Sequence, residues 1–285
     1  MKNRDGKWGG TTMYTIKDSE RKDILEAYDK DNNLVGEAVI SPFRDSDINE
    51  KPRLNIYIDI KVKGVENKIE LKDQMFDEIM KRSRAIKEEN KDIDVRVYHC
   101  CFSDNKENIA YYSSKEGFNH DEGMHIIKKE ITEESFQIQD INGIDFVSLE
   151  FIDEDEIKQL VEKQNKVFVG GYSPEDLKKL KSENQWFSIA AKHKDEIVGN
   201  IVIIVKEDEL NNKYGWVDDL FVSKEWRKQG IGESLIIRAF ESLKNLNIKE
   251  SRLEVWSANK RALSVYNSVG YKFHEETESS IGMFL

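Results

Sequence analysis

One order of strands and helices occurs twice in this chain, once in each half, and it restricts the fold more than any other feature. In the second half it opens with "IDFVSLE", a strand-like alternation, and "DEDEIKQLVEKQNKVF", whose acidic start suits a helix N-terminus. "SPEDLKKLKSEN" reads as a short helix with Ser173 as N-cap and Pro174 at the first helical position. "WFSIAAKHKDEIVGNIVIIVKED" holds two apolar runs about the polar turn "KHKDE", a hairpin. "YGWVDDLFVS" is a strand, and "GESLIIRAFESLKNL" a helix with apolar residues at Leu235, Ile236, Ala239, Phe240 and Leu243. "RLEVWS" is a strand, "NKRALSVYNSVG" a helix closed by Gly270, and "YKFHEETESSIGMFL" a closing pair of strands.

The first half repeats the later part of that order. "ILEAYDKDNNLVGEAVI" is a hairpin turning at Asp31 to Asn33, "RLNIYIDIKV" a strand and "IELKDQMFDEIMKRSRAIKEE" a long amphipathic helix. "IDVRVYH", "NKENIAYYSSKEGF" and "MHIIKKEI" then give strand, helix and strand, with no counterpart of the two opening helices. The periodicity breaks near "TEESFQIQDINGI", so the expected domains are residues 1–138 and 139–285. Each is expected to be an α/β domain with a mostly antiparallel mixed sheet and helices on both faces. "DKDN" at Asp29 to Asn32 is a turn rather than a calcium loop, because the sixth position is Leu34 and no glutamate closes it.

At 285 residues the chain has room for two cores. A net charge of -11 argues against a nucleic-acid partner that needs a basic face. The N-terminus lacks the apolar segment of a signal peptide, and no stretch approaches the roughly 18 apolar residues of a membrane span, so a cytoplasmic protein without a membrane partner is expected. Cys100 and Cys101 are adjacent, a spacing that strains a disulfide, and they end a β-like run where packing is their expected role. No histidines have metal-ligand spacing: His120 and His125 are off the i, i+4 step, and His99 beside Cys100 lacks further ligands.

"WRKQGIGESL", Trp226 to Leu235, carries the clearest chemical signal. A strand that runs into a glycine turn and then a helix presents unpaired N–H groups at the positive end of that helix, which suits an anion, and Lys224, Arg227 and Lys228 add cations. A Walker A loop would need Gly-Lys-Ser/Thr, whereas Gly232 is followed by Glu233 and Ser234. A dinucleotide fingerprint would need glycine at Leu235. A pyrophosphate of another cofactor remains, beside the plain alternative of a sharp turn.

Arg227, Gly230 and Gly232 fit Arg-x-x-Gly-x-Gly after a strand ending "LFV". Further on, Asn259, Ala262, Tyr266, Gly270 and Tyr271 fit Asn-x-x-Ala-x-x-x-Tyr-x-x-x-Gly-aromatic. Together, over residues 142 to 285, these closely resemble the GNAT superfamily of acyl-CoA N-acyltransferases. The resemblance implies that Arg227, Lys228, Gln229, Gly230, Ile231, Gly232 and Glu233 hold the pyrophosphate of acetyl-CoA. It further implies that Leu220, Phe221 and Val222 pair with the pantetheine arm, and that Asn259 and Tyr266 flank the thioester. The first half matches only in outline: Gly64 is its one glycine at the strand-to-helix junction, and counting back from Gly117 leaves Tyr112 out of register. A degenerate, truncated copy that binds no coenzyme A is expected there.

Transfer to an amine needs a neutral nucleophile and a protonated partner for the leaving thiolate. An alkylamine near pKa 10.4 lies more than three units from neutrality at pH 7, about 4 to 5 kcal/mol, against about 2 kcal/mol for a thiol near 8.5. Tyr266 is the candidate acid, since a phenol is protonated at neutral pH; packing in the core is its plainer reading. For the base, the resemblance favours Asp218, with Asp219 second. Strand alternation places Trp216, Asp218 and Leu220 on one face and Asp219 and Phe221 on the other. Trp216, Asp218 and Asp219 are thus the expected acceptor contacts. The acidic pair is similar to that of polyamine acetyltransferases, which implies a small cationic amine and direct transfer in a ternary complex. A peptide or protein amine is the alternative acceptor, and a non-catalytic acyl-CoA-binding scaffold the alternative function.

Overall fold

Residues 14–45, 52–132, 138–168 and 170–285 are described by the structure, a computed structural model. In the first half, the alternation of Arg53–Val62 buries Leu54, Ile56, Ile58 and Ile60 on one side of a strand. Leu71, Met75 and Ile79 recur at four-residue steps on the helix Lys68–Glu89 and are fully buried against them. The elements are β1 (Thr15–Asp18), β2 (Ile24–Tyr28), β3 (Leu34–Asp45), β4 (Arg53–Val62), α1 (Lys68–Glu89), β5 (Asp94–Phe102), α2 (Lys106–Ser113) and β6 (Asn119–Glu130). The second half follows with β7 (Asp145–Leu149), α3 (Glu154–Asn165), α4 (Pro174–Glu183), β8 (Gln185–His193), β9 (Glu196–Glu207), β10 (Lys213–Val222), α5 (Ile231–Asn245), β11 (Glu250–Trp256), α6 (Lys260–Ser268) and β12 (Lys272–Phe284). Ser173 closes a full capping box on α4, a motif worth about 1 kcal/mol.

Two compact units divide the chain: residues up to Gly123 with Thr277–Leu285, and Met124–Glu276. The division falls inside β6 instead of near residue 138, and part of the expected join, 133–137, lies outside the described residues. The physical reason is strand pairing. Residues Met124–Glu130 of β6 pair antiparallel with β11 and so belong to the second unit, while residues Glu278–Phe284 of β12 pair antiparallel with β5 and belong to the first. The expected closing pair of strands is accordingly one continuous strand. No proline interrupts it, and Gly282 stays in register opposite Tyr98.

Within the first unit the strand order is β1-β2-β3-β4-β5-β12, and within the second β6-β11-β10-β9-β8-β7. Every pairing named in those two orders is antiparallel except β4 with β5 and β10 with β11. The second unit carries helices on both faces: α5 packs with Val198, Ile201 and Ile203, and α3 and α4 pack with Val202, Ile204 and Phe221. In the first unit the expectation of two covered faces fails. Tyr112 of α2 and Leu71 of α1 share one core cluster, because the two helices that open the second unit have no counterpart among the described residues of the first.

Candidate active site

Among the described residues each unit contains one parallel pair, and each pair comes apart. In the second, β10 and β11 are joined only at Gly215↔Ser251 and Trp216↔Arg252, although β10 runs on to Val222 with β9 beside it. The β11-facing edge of Val217–Val222 therefore has no strand partner, which leaves main-chain groups available to an extended ligand. Leu220 and Val222 turn their side chains toward the α5 core and Phe221 buries its ring in the α3–α4 core, so these three residues offer a cofactor their backbone.

The turn after β10 leads into α5. Lys228 has φ 62° and Gly230 φ 79°, and Gly230 is the N-cap, so the chain twists sharply just before the helix. The other five α-helices among the described residues have an Asn, Asp or Ser side chain accepting from their first turn; α5 has none. Its first N–H groups face outward without an internal acceptor, the arrangement that binds phosphates. A Cβ on Gly232 would meet only Val265 at 3.6 Å and Val222 at 3.8 Å, ordinary contacts, so the fold does not require glycine there. Ile231 is buried in the core, Arg227 donates from Nε to the Val222 carbonyl at 3.0 Å, the Gln229 amide reaches the Glu225 carbonyl at 3.4 Å, and Glu233 accepts from Ser268 at 2.6 Å. Arg227, Gln229 and Glu233 thus brace the turn, and its main chain together with the exposed Lys224 and Lys228 is left to hold an anion.

A β-bulge reshapes the acidic pair. Val217 pairs with Ile203 but Asp219 with Val202, so Asp218 is the extra residue. Simple alternation across β10 therefore fails. Leu220 lies on the α5 face with Val217, whereas Asp219 joins Phe221 on the α3–α4 face. Asp218 is exposed and accepts a short hydrogen bond from the Tyr172 hydroxyl. Asp219 accepts from the side chain of Gln164 and the backbone of Leu220, yet burial outweighs both and, with Asp218 beside it, pushes its carboxyl up to about 7. Burial, and then the charge of Asp219, raise the phenol of Tyr266 above its ordinary value and keep it protonated. Tyr266 lies on α6, edge-on to Tyr271 at 5.7 Å, while Asn259 caps that helix by accepting from the Ala262 N–H at 3.1 Å.

Two residues absent from the sequence reading hold the acidic pair. Gln164, 3% exposed at the end of α3, accepts the Tyr172 N–H at 2.7 Å through Oε1 and leaves its amide for Asp219. A Cβ on Gly171 would stand 2.9 Å from that oxygen and 3.0 Å from Asn165 Oδ1, so a side chain there would displace the Gln164 amide. "GGY" is the only local signal for this contact; Gln164 itself looks like any polar helical residue. On the sheet beyond, Trp216 lies beneath the Lys206 ammonium, 4.2 Å from Nζ to the ring centroid. A separate groove of about 520 Å³ lined by Phe146, Phe187, Ile189 and Leu246 shares no residue with this cluster.

The first unit retains more of this site than its motif suggests. Asn105 caps α2 by accepting from the Asn108 N–H, as Asn259 caps α6, and Tyr112 follows Asn105 at the same seven-residue interval at which Tyr266 follows Asn259. Tyr112 is thus in register; the extra residue falls between it and Gly117. Lys63 N–H to Val35 O at 2.9 Å and Ser223 N–H to Val198 O at 2.8 Å end the two equivalent strands, and the fourth residue before each is Asp59 and Asp219. The opening differs, however. β4 and β5 separate after Tyr57↔Tyr98, and there His99, 2% exposed, places Nδ1 2.9 Å from the Ile58 carbonyl and stacks on Tyr112 at 4.1 Å. Ile58 O has no need of an outside donor.

The split parallel pair, the uncapped helix after a glycine turn and the buried acid and phenol are features that the GNAT resemblance implies, and residues 155–271, within the second unit, match the acetyltransferase (GNAT) family. A curated relative, N-alpha-acetyltransferase MAK3 of Arabidopsis thaliana, is 33% identical over 81 residues, and the match spans 28% of this chain and 42% of that protein. Among solved structures, the chain is similar to a GCN5-related N-acetyltransferase from Sphaerobacter thermophilus, at 14% identity over 92% of this chain and 81% of that one with a TM-score of 0.49. It is also similar to an aminoglycoside acetyltransferase from an uncultured soil metagenomic sample in complex with sisomicin, at 25% identity over 45% of this chain and 88% of that one, TM-score 0.41. Among the described residues no helix is long and apolar enough to cross a membrane.

Proposed function

We propose that this protein transfers the acetyl group of acetyl-CoA to a primary amine within its second unit, by direct attack in a ternary complex. The observation that carries the reading is the unpaired edge of β10 beyond Trp216, with Asp219 at about pKa 7 on that strand and the protonated Tyr266 on α6. The residues fit coenzyme A: backbone N–H groups from Lys228 to Glu233 suit the pyrophosphate, and Leu220 to Val222 suit the amides of the pantetheine arm. Acetyl-CoA supplies the activated acyl group.

Asp219 takes the proton of the amine, directly or through water. A carboxylate whose pKa lies near 7 is half ionised at neutral pH and retains more driving force for proton transfer than one at 3.8. The amine nitrogen attacks the thioester carbonyl, the C–S bond breaks, and Tyr266 donates its proton to the departing sulfur. This assigns the base to Asp219 in preference to Asp218, whose carboxylate is already occupied by Tyr172. Asp218 and Trp216 then belong to the acceptor side, and a small cationic amine fits their chemistry; the alternative acceptor is a peptide amine. Because His99 occupies the equivalent opening in the first unit, one coenzyme A per chain is expected.

Calorimetric titration with acetyl-CoA, followed by thiol release against a panel of polyamines, amino acids, aminoglycosides and peptides, tests the reading. Binding of one equivalent with amine-dependent release supports it. Binding with no release to any acceptor favours the non-catalytic scaffold, and absence of binding removes both.

A further inference from the structure

Lys206 is a cation placed where a basic substrate would bring its own. It closes the apolar run of β9, paired with Tyr214 and diagonal to Trp216 on the face of the sheet that carries Asp219. Its ammonium lies over the indole, the arrangement that favours a bound cation. Asp218 is the stronger and Glu254 the weaker of two carboxylates whose fields reach it; burial acts against them and lowers its pKa overall. The neighbouring cations have separate roles. Arg252 bonds Glu250 and reaches Asp208 at 3.5 Å, and Lys128 reaches Glu250 at 3.4 Å. Lys206 therefore supplies the positive charge for the Trp216 face and for Asp218, and both are features that on their own would suit the second ammonium of a diamine.

We infer that Lys206 sets the acceptor class: it restricts the site to amines with a single positive charge, the reacting nitrogen directed at Asp219 and an uncharged remainder lying along Trp216. The inference rests on the acetyl-transfer reading above and narrows it. Trp216 and Asp219 are three residues apart on a bulged strand, at most about 10 Å, so a second ammonium on a short chain reaches the place that Lys206 fills. It would meet repulsion from Lys206 and find the indole face covered. The acidic pair alone points to polyamines; with Lys206 in place the geometry points away from them.

The test compares hexylamine with 1,6-diaminohexane, which differ only in the far amine, by thiol release from acetyl-CoA with the 285-residue chain. The wild type is expected to favour the monoamine in kcat/KM after the twofold statistical factor for the diamine's two ends. Lys206→Met should move that ratio about tenfold toward the diamine, and Lys206→Arg, which keeps both charge and stacking, should keep the wild-type ratio. An unchanged ratio in Lys206→Met, or an equal shift in Lys206→Arg, overturns the inference and leaves acetyl transfer standing. Absence of release with either amine in all three proteins overturns this inference, and only silence of the wild type across the whole acceptor panel overturns the transfer reading on which it rests.

Discussion

Asp219→Asn is expected to make the second unit more stable and its chemistry slower. Burial carries the Asp219 carboxyl from 3.8 to about 7. About three pH units correspond to roughly 4 kcal/mol, an upper figure for what the folded unit loses by holding this group ionised above pH 7. An acid with a raised folded pKa binds its proton more tightly in the folded state. Its contribution is therefore fully favourable below the unfolded pKa, declines as pH rises from about 4 to about 7, and is flat above. Asparagine is neutral throughout and can still meet the Gln164 amide. The variant should exceed the wild type by a few kcal/mol at pH 8, with the gap closing toward pH 4. Denaturant melts followed by tryptophan emission are the assay, since Trp186, Trp216, Trp226 and Trp256 all lie in Met124–Glu276. In parallel, kcat/KM should fall by about 10² to 10⁴, the range for losing a general base. A gap that does not vary with pH, or a variant less stable than the wild type at pH 8, would refute the claim that Asp219 is a strained, buried carboxyl.

Further outcomes rest on its neighbours. Gln164→Leu removes a hydrogen bond from the Asp219 carboxylate; such bonds are worth about 1.5 to 3 kcal/mol, so the acid limb of the kcat/KM profile should move up by about one to two pH units, and an unmoved limb would show that Gln164 only packs. Tyr266→Phe should lower kcat by at most about thirtyfold, because the thiolate it protonates lies only about 1.5 units from neutral pH; undiminished turnover would remove its acid role. His99→Leu vacates the bond to the Ile58 carbonyl. If that side chain is what closes the first unit, the wild type binds one coenzyme A by calorimetry, and only the variant can gain a second weak site. Two equivalents in the wild type would disprove closure.

The elements of the second unit were legible because periodicity, caps and turns agree: Ser173, Pro174 and the face Leu235, Ile236, Ala239, Phe240 and Leu243 all stand where the pattern puts them. The bulge at Asp218 was not legible, since one inserted residue leaves a plausible alternation behind while exchanging the faces of everything before it. Gln164 and Lys206 escaped for a related reason. Each becomes functional through a partner distant in sequence, Asp219 or Trp216, and carries no local mark. The pairings of β6 with β11 and of β12 with β5 likewise join strands far apart in sequence and carry no local mark. In the first unit, counting from Gly117 displaced Tyr112, whereas the helix cap at Asn105 restores it: caps fix register more firmly than the glycine after a helix.

The most direct test of the account is amine-dependent thiol release from acetyl-CoA by the wild type beside Gly232→Trp. A side chain at residue 232 meets only ordinary contacts at its Cβ, so the fold can accommodate the start of the indole while the turn that receives the pyrophosphate is obstructed. The account predicts release with at least one amine in the wild type and its loss in the folded variant together with acetyl-CoA binding. Release that survives Gly232→Trp unchanged, or no release from the wild type across the acceptor panel, would contradict it.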